Sequence, residues 1–116
     1  MDADTGIKPQ IKFEDFAKVD MRVGTILSAE EIEGSEKLIK LVIDFGDLGK
    51  RQILSGIKEW FEPKSLVDKQ VAFVINIEPK RMVGLESAGM ILTVETEGKV
   101  TLIVSKKKVR DGSLIS

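Results

Sequence analysis

A chain of 116 residues, 42% hydrophobic and 32% charged, has the balance of one globular domain with one core and is too short for two. Cysteine and histidine are both absent, which removes a disulfide framework, a thiolate zinc site, a cysteine nucleophile and the commonest general base together. The net charge of −1 gives no general pull toward nucleic acid, yet the charge is uneven: residues 1–60 hold 9 basic and 12 acidic side chains, and residues 61–116 hold 9 basic and 7 acidic. The acidic N-terminus MDADTGIKPQ does not read as a secretion signal, and no apolar run approaches the roughly 20 residues of a membrane span, so the expected location is cytoplasmic with no membrane partner.

Residues 1–12 lack periodicity and are expected to form a flexible arm, leaving 13–116 as the folded domain. FEDFAKVD at 13–20 puts Phe13, Phe16 and Ala17 at i, i+3 and i+4, which predicts a one- or two-turn helix with a small apolar stripe. MRVGTILSAEEI at 21–32 is a strand, and Gly24 inside it marks a bulge or a sharp bend. Asp20 and Arg22, two apart, share a strand face, and an ion pair buttressing the bend is the favoured reading. After the turn EGSEK, LIKLVIDF at 38–45 alternates, with Ile39, Leu41, Ile43 and Phe45 toward a core and Lys40 and Asp44 outward. GDLGK at 46–50 is a hairpin turn. RQILSGI at 51–57 is a strand ending in the small step Ser55-Gly56, and Lys40, Lys50 and Arg51 are expected to line an outer face.

KEWFEPKSLVD at 58–68 breaks the strand rhythm, and Trp60, Phe61, Leu66 and Val67 with Pro63 predict a short helix or turn over a barrel end. VAFVINI at 71–77 places Val71, Phe73, Ile75 and Ile77 on one face. The stretch 78–89 reads as a loop, MILTVE and VTLIV as a hairpin about TEGK, and the tail VRDGSLIS as a last short strand. Five short strands with short connections and one interposed helix predict an all-β, five-stranded Greek-key OB-fold barrel. It would carry a short N-terminal helix, a helical insertion between strands 3 and 4 and a C-terminal strand extension. A two-sheet sandwich ranks second.

Most candidate chemistry falls away on inspection. GDLG lacks the Lys-Ser/Thr pair of a phosphate-binding loop, and Glu30-Glu31 has no second acidic cluster at ligand spacing, so no cofactor, metal or catalytic residue is assigned. Ser55 or Ser87 beside a lysine is the residual nucleophile reading. PKRMVGLESAGM at 79–90 holds more than a turn needs: Lys80, Arg81, Gly84, Ser87, Gly89, Met82 and Met90. Between the fourth and fifth strands of an OB-fold it sits where ligands arrive, together with the loop between strands 1 and 2 that holds Lys37. Cations there meet phosphate, while Ser87 and glycine amides approach ribose or base edges. KVTLIVSKKKVR at 99–110 has five cations and no anion, and reads equally as a solvated face or a phosphate-facing patch. With five Phe, one Trp and no Tyr, most Phe on apolar faces, a stacking platform for single strands is missing, and recognition by shape and backbone fits better.

KVDMRVGTILSAEEI, SEKLIKLVIDFGDLGKRQILSGI and NIEPKRMVGLESAGMIL, in order across residues 13 to about 115 with DGSLI closing the chain, resemble the successive motifs of the tRNA-binding domain family. That family supplies the C-terminal domain or separate beta chain of methionyl-tRNA synthetases. Similar domains occur in structure-specific tRNA-binding proteins, in the endothelial monocyte-activating polypeptide group and in phenylalanyl-tRNA synthetase beta subunits. The resemblance implies a homodimeric OB-fold that binds tRNA, catalyses nothing, and raises the tRNA affinity of a methionyl-tRNA synthetase catalytic chain. The alternative on the same fold is a CsaA-type, export-related, peptide-binding chaperone dimer. The implied tRNA-binding residues are Lys37, Ser55, Gly56, Asn76, Lys80, Arg81, Ser87, Gly89 and Met90, joined by Arg51 from the outer-face reading. Apolar FEDF and the tail exceed what a minimal barrel requires and supply the dimer contact. Two departures remove positive or polar character near the site: Val83 stands where many relatives are basic, and Glu33-Gly34 replaces a histidine-proline turn.

Overall fold

The computed structural model describes residues 6–116, so the first five residues of the expected arm lie outside the described residues. In chain order the elements are α1 (Phe13–Phe16), β1 (Met21–Glu31), β2 (Ile39–Asp44), β3 (Lys50–Ser55), α2 (Pro63–Leu66), β4 (Gln70–Val74), β5 (Lys80–Met82), β6 (Leu85–Ser87), β7 (Met90–Ile91), β8 (Thr93–Thr96), β9 (Lys99–Leu102) and β10 (Leu114–Ile115). The main sheet runs β3-β2-β1-β4-β7, antiparallel throughout, with β10 beside the start of β1. It curls into the partly closed barrel of an OB-fold, while β5–β6 and β8–β9 form separate hairpins. No helix among the described residues is long and apolar enough to cross a membrane.

The alternating positions of β2 face inward as expected: Ile39, Leu41, Ile43 and Phe45 are fully buried, with Ile26, Ile53, Val71 and Phe73. Phe45 and Phe73 meet edge to face at 5.4 Å, an arrangement favoured by the ring quadrupoles. Gly24 is what lets β1 lie against this pair. A Cβ there would stand 2.5 Å from Ile43 Cγ2 and 2.7 Å from the Phe45 ring. The irregularity itself falls slightly later, where the β1–β2 register slips between Ile26 and Ser28. Asp20 and Arg22 form the expected buttress. Arg22 Nε donates to Asp20 Oδ1 at 2.7 Å and its Nη1 donates to the Gly112 carbonyl, and the hydrogen bond to Asp20 raises the guanidinium pKa.

α2 caps one barrel end as the sequence predicts, since Leu66 is buried in the core and Trp60 and Phe61 pack against it. Pro63 suits the first turn, where its missing N–H has no partner to lose. The tail also adds its strand: Met21 pairs with Ile115 and Arg22 with Leu114. Other expectations are corrected. VAFVINI does not alternate, because Val71 through Ile75 are buried on both faces, flanked by β1, the 103–105 segment and Leu92. β4 therefore ends at Val74, and Ile77 emerges from the core at 46% exposure. The stretch 78–89 is no plain loop but the β5–β6 hairpin. The stripe on α1 covers nothing, with Phe13 81% exposed and Phe16 exposed beside it.

The open edge of β3 is closed by the chain around β6 and β7. Ala88 N–H donates to the Gln52 carbonyl at 2.9 Å, Ser87 Oγ accepts the Leu54 N–H at 3.0 Å, and Gln52 Nε2 donates to the Glu86 carbonyl. Arg51 Nη1 completes the seam by donating to the Ile75 carbonyl at 2.6 Å and the Ala88 carbonyl at 3.1 Å. The outer-face reading of Arg51 is thereby corrected. It stands directly opposite inward-facing Ile43, whereas Lys40 and Lys50 lie on the outer face opposite Leu54 and Asp44.

Two stability measurements check this account. Gly24→Ala forces a methyl group into Ile43 and Phe45 and is expected to cost about 2 kcal/mol in urea unfolding, whereas Gly56→Ala, with open space around it, stays within about 0.5 kcal/mol of the parent. Ser87→Ala leaves the buried Leu54 N–H without its acceptor and is expected to cost about 1–3 kcal/mol; an unchanged midpoint would mean that the seam is held elsewhere.

Candidate nucleic-acid interface

The two ligand-side loops of the barrel converge on the last residues of β3. Ile39 at the end of the β1–β2 connection pairs with Ser55, while Leu54, one residue earlier, lies under Ser87 of the β5–β6 hairpin. Two open cavities flank this point. One, of about 560 Å³, is lined by Ser35, Lys37, Leu38 and Gly56. The other, of about 300 Å³, is lined by Leu54, Ile77, Lys80, Met82, Ser87 and Met90. The first is held open by local ties: Ser35 Oγ accepts the Leu38 N–H, and the Lys37 carbonyl accepts the Lys58 N–H at 3.1 Å. Lys58 also lies 3.6 Å from Glu31, which anchors the base of the loop.

The predicted residues thus separate into those that present chemistry and those that hold the frame. Lys37, Gly56, Lys80, Arg81 and Met90 are exposed, and among the described residues Lys37, Lys80 and Arg81 take part in no ion pair. Lys40, by contrast, stands 3.8 Å from Glu30. Ser55 is half-buried and lines neither cavity, although its chain neighbours Gly56 and Leu54 line the first and the second. Lys80 and Arg81 do not act as a pair of neighbours, because successive residues of a strand point to opposite faces. Lys80 lies opposite Ser87 and lines the second cavity, and Arg81 lies opposite Glu86 on the other face of the ribbon.

Four predicted residues are engaged in structure. Arg51 bridges two carbonyls across the seam. Ser87 is 3% exposed, and its hydroxyl, bonded to the Leu54 N–H and near the Gly89 carbonyl, is not a free donor for ribose or a nucleophile. Asn76 accepts the Asp20 N–H at 2.8 Å and donates to the Lys18 carbonyl at 2.6 Å, stapling the segment after α1 to the end of β4. Gly89 has φ +149°, and a Cβ on it would stand 2.9 Å from Ile53 Cδ1 and 3.0 Å from the Val74 carbonyl oxygen.

The basic run 106–110 lies at the other end of the barrel. Gln70 exchanges hydrogen bonds with both backbone groups of Val109 and also donates to Asp111. Gln70 pairs with Thr25, which pairs with Asp44, six residues along β1 from the Glu31–Ile39 pair beside the first cavity. That separation is about 20 Å of strand. Within the run Arg110 also stands 3.4 Å from Asp47. Sequence reasoning missed Leu54, Ile77, Glu78 and Met82 in the second cavity. Ile77 shares the parity of Phe73 and Ile75 but leaves the core after Asn76, whose side chain turns back to residues 18 and 20.

Comparison with known proteins accords with this geometry. The family model described as "Putative tRNA binding domain" matches residues 21–114. A methionine–tRNA ligase of Archaeoglobus fulgidus is 45% identical over 108 residues, covering 93% of this chain but 16% of that protein, and one of Methanothrix thermoacetophila is 45% identical over 105 residues. The chain therefore spans about one sixth of the length of these relatives. Among solved structures, a MetRS-related protein of Pyrococcus horikoshii is 39% identical with a TM-score of 0.88, over 94% of this chain and all of that one. The chaperone CsaA of Bacillus anthracis is 36% identical with a TM-score of 0.83, over 93% of this chain and all of that one. With the barrel, its loop geometry and the match over residues 21–114 in agreement, the chain belongs to the tRNA-binding domain family.

Proposed function

We propose that the protein is a non-catalytic tRNA-binding module that holds tRNA for a methionyl-tRNA synthetase catalytic chain, as a separate beta chain or a C-terminal-type domain. The observation that carries this reading is the convergence of exposed Lys37 and Lys80 on one barrel end, within a chain whose family match spans residues 21–114. Both cations flank the β3 terminus, where OB-folds receive nucleic acid. Their role is to meet backbone phosphates, with Gly56 letting the chain approach closely and Arg81 reaching phosphate from the outer side of the hairpin. Tethered to a catalytic chain, such a contact raises affinity through effective concentration and adds no chemical step.

The module works as a homodimer in this reading. Exposed Phe13 and Phe16 on α1, Leu114 at 62% exposure on β10, and an apolar hollow of about 350 Å³ bordered by Val23, Leu92, Ile103, Val104 and Ile115 supply a face that water covers poorly in a lone copy. A cytoplasmic location completes the proposal.

A second reading, an export-related peptide-binding chaperone dimer, draws support from the likeness to CsaA and from the apolar second cavity. Nucleic acid ranks first because the family match to a putative tRNA binding domain spans residues 21–114, while the exposed charges around the β3 terminus are mixed, with Lys37, Lys80 and Arg81 beside Glu36, Glu78 and Glu86. Gel-shift titration against unfractionated tRNA is expected to show salt-sensitive binding at roughly tens of micromolar or tighter. Lys37→Glu with Lys80→Glu should weaken it about tenfold or more and flatten its dependence on salt; tRNA competing with no peptide, or peptide with no tRNA, separates the two readings. Light scattering is expected to give a dimer mass at micromolar protein, and Phe13→Asp with Leu114→Asp is expected to give a monomer.

A further inference from the structure

The second cavity is built differently from a surface that only meets phosphates. Its walls are Leu54, Ile77, Met82 and Met90, and its polar side chains at the mouth are Glu78 and Lys80. Ile77 and Met90 stand 46% and 44% exposed on its rim, two large apolar side chains left facing solvent on the ligand side of the barrel. Gly89 also lines it, and its missing side chain lets the backbone lie against Ile53 and the Val74 carbonyl. The one hydroxyl within reach, that of Ser87, is already bonded to the Leu54 N–H. What remains is a small apolar slot of about 300 Å³ with one cation and one carboxylate at its mouth.

We infer that this slot takes a single unpaired nucleobase of the bound tRNA. The inference rests on the tRNA-binding reading and deepens it. A base swung out of its stack is flat and apolar on its faces, and slots between aliphatic side chains as it does between aromatic ones. No aromatic ring offers that service at this end: Phe45 and Phe73 are buried, Trp60 and Phe61 pack on the core, and Phe13 and Phe16 sit on α1. Lys80 at the slot's mouth meets the phosphate of the inserted nucleotide, and Lys37 in the first cavity meets a neighbouring one. Glu78 accepts a hydrogen from the edge of the inserted base, which every base can supply when unpaired: the amino groups of cytosine, adenine and guanine and the ring N–H of guanine and uracil.

The test uses the full chain and unfractionated tRNA in filter binding at several salt concentrations. Ile77→Ser with Met82→Ser, both outside the closed core, is expected to lower affinity about tenfold with the log–log salt slope unchanged, because apolar contacts release no counterions. Lys80→Ala is expected to lower the affinity and to reduce the slope by about one. A short single-stranded oligonucleotide is expected to compete with tRNA at least about fivefold better than an abasic oligonucleotide of equal length, and the Ile77→Ser with Met82→Ser variant to lose that preference. Thermal melting checks that each variant keeps its fold, and Met90→Ser repeats the test if the double variant unfolds. Unchanged tRNA affinity in the apolar variants, with Lys80→Ala weakened, overturns the base slot and leaves tRNA binding standing. A wild-type chain that binds no tRNA overturns both, and displacement of tRNA by an apolar peptide through the same side chains, with no response to oligonucleotide, assigns the slot to protein instead.

Discussion

The closure of β3 against the 86–89 segment is the contact on which the ligand end of this molecule depends. An edge strand of a curled sheet presents unpaired backbone groups, and leaving them unsatisfied costs about as much as a lost hydrogen bond each. A short ladder would normally supply the partners. Here β7 is two residues long and pairs with β4, so the β3 edge is closed by an assortment: the Ala88 N–H and the Ser87 hydroxyl meet its backbone, and its own Gln52 amide and Arg51 guanidinium reach the Glu86, Ile75 and Ala88 carbonyls. Because these contacts come from the strand that leads out of the β5–β6 hairpin, they also fix where that hairpin stands. Lys80 and Met82 acquire their places over Leu54 as a consequence of sealing the barrel.

This explains why residues that look like binding groups in the sequence serve the frame instead. A serine, an arginine and an asparagine near two glycines suggest polar recognition, yet a partly closed barrel needs the same residue types to satisfy its own backbone. Ser87, Arg51 and Asn76 each bond main-chain groups more than 20 residues away. Two functions can share one segment only if the side chains divide between them. In the hairpin that division follows the strand period, with Lys80 over the slot and Arg81 turned away.

The strands with one wet face were legible in the sequence, since β2 alternates with period two and its inward set is the buried set. The capping helix was legible from the cluster of Trp60, Phe61 and Leu66 around Pro63, and the tail strand from its apolar pair. Three features were not. The alternation of 71–77 misled because burial on both faces erases the period, and only the turn of Asn76 toward residues 18 and 20 shows where the strand ends. The face of Arg51 depends on register with β2, which local pattern does not encode. The hairpin within 78–89 was hidden because strands of three residues carry too little periodicity to register. Of the site, the exposed cations were readable by type and loop position, while the slot between Ile77 and Met90 exists only once β4 has ended early.

Val83 sharpens what the hairpin tip contributes. It sits at φ +44° with Gly84 at +79°, the two positive dihedrals of a type I′ turn, whose first position favours Asn, Asp or Gly. A β-branched residue there is strained by an amount of order 1–3 kcal/mol. The strain is borne because the three-residue strands on either side are pinned through Ser87 and Gln52 to β3. With Val83 exposed and uncharged, the tip adds no positive charge, and in the proposed reading the pull of this face on a polyanion rests on Lys37, Lys80 and Arg81, set against Glu36, Glu78 and Glu86 in the same two loops. Three point charges give affinity that salt readily screens and little sequence preference. Any discrimination at this barrel end must come from a group that is neither charged to match phosphate nor spent on closing the seam, and the apolar slot with Glu78 at its mouth meets that description.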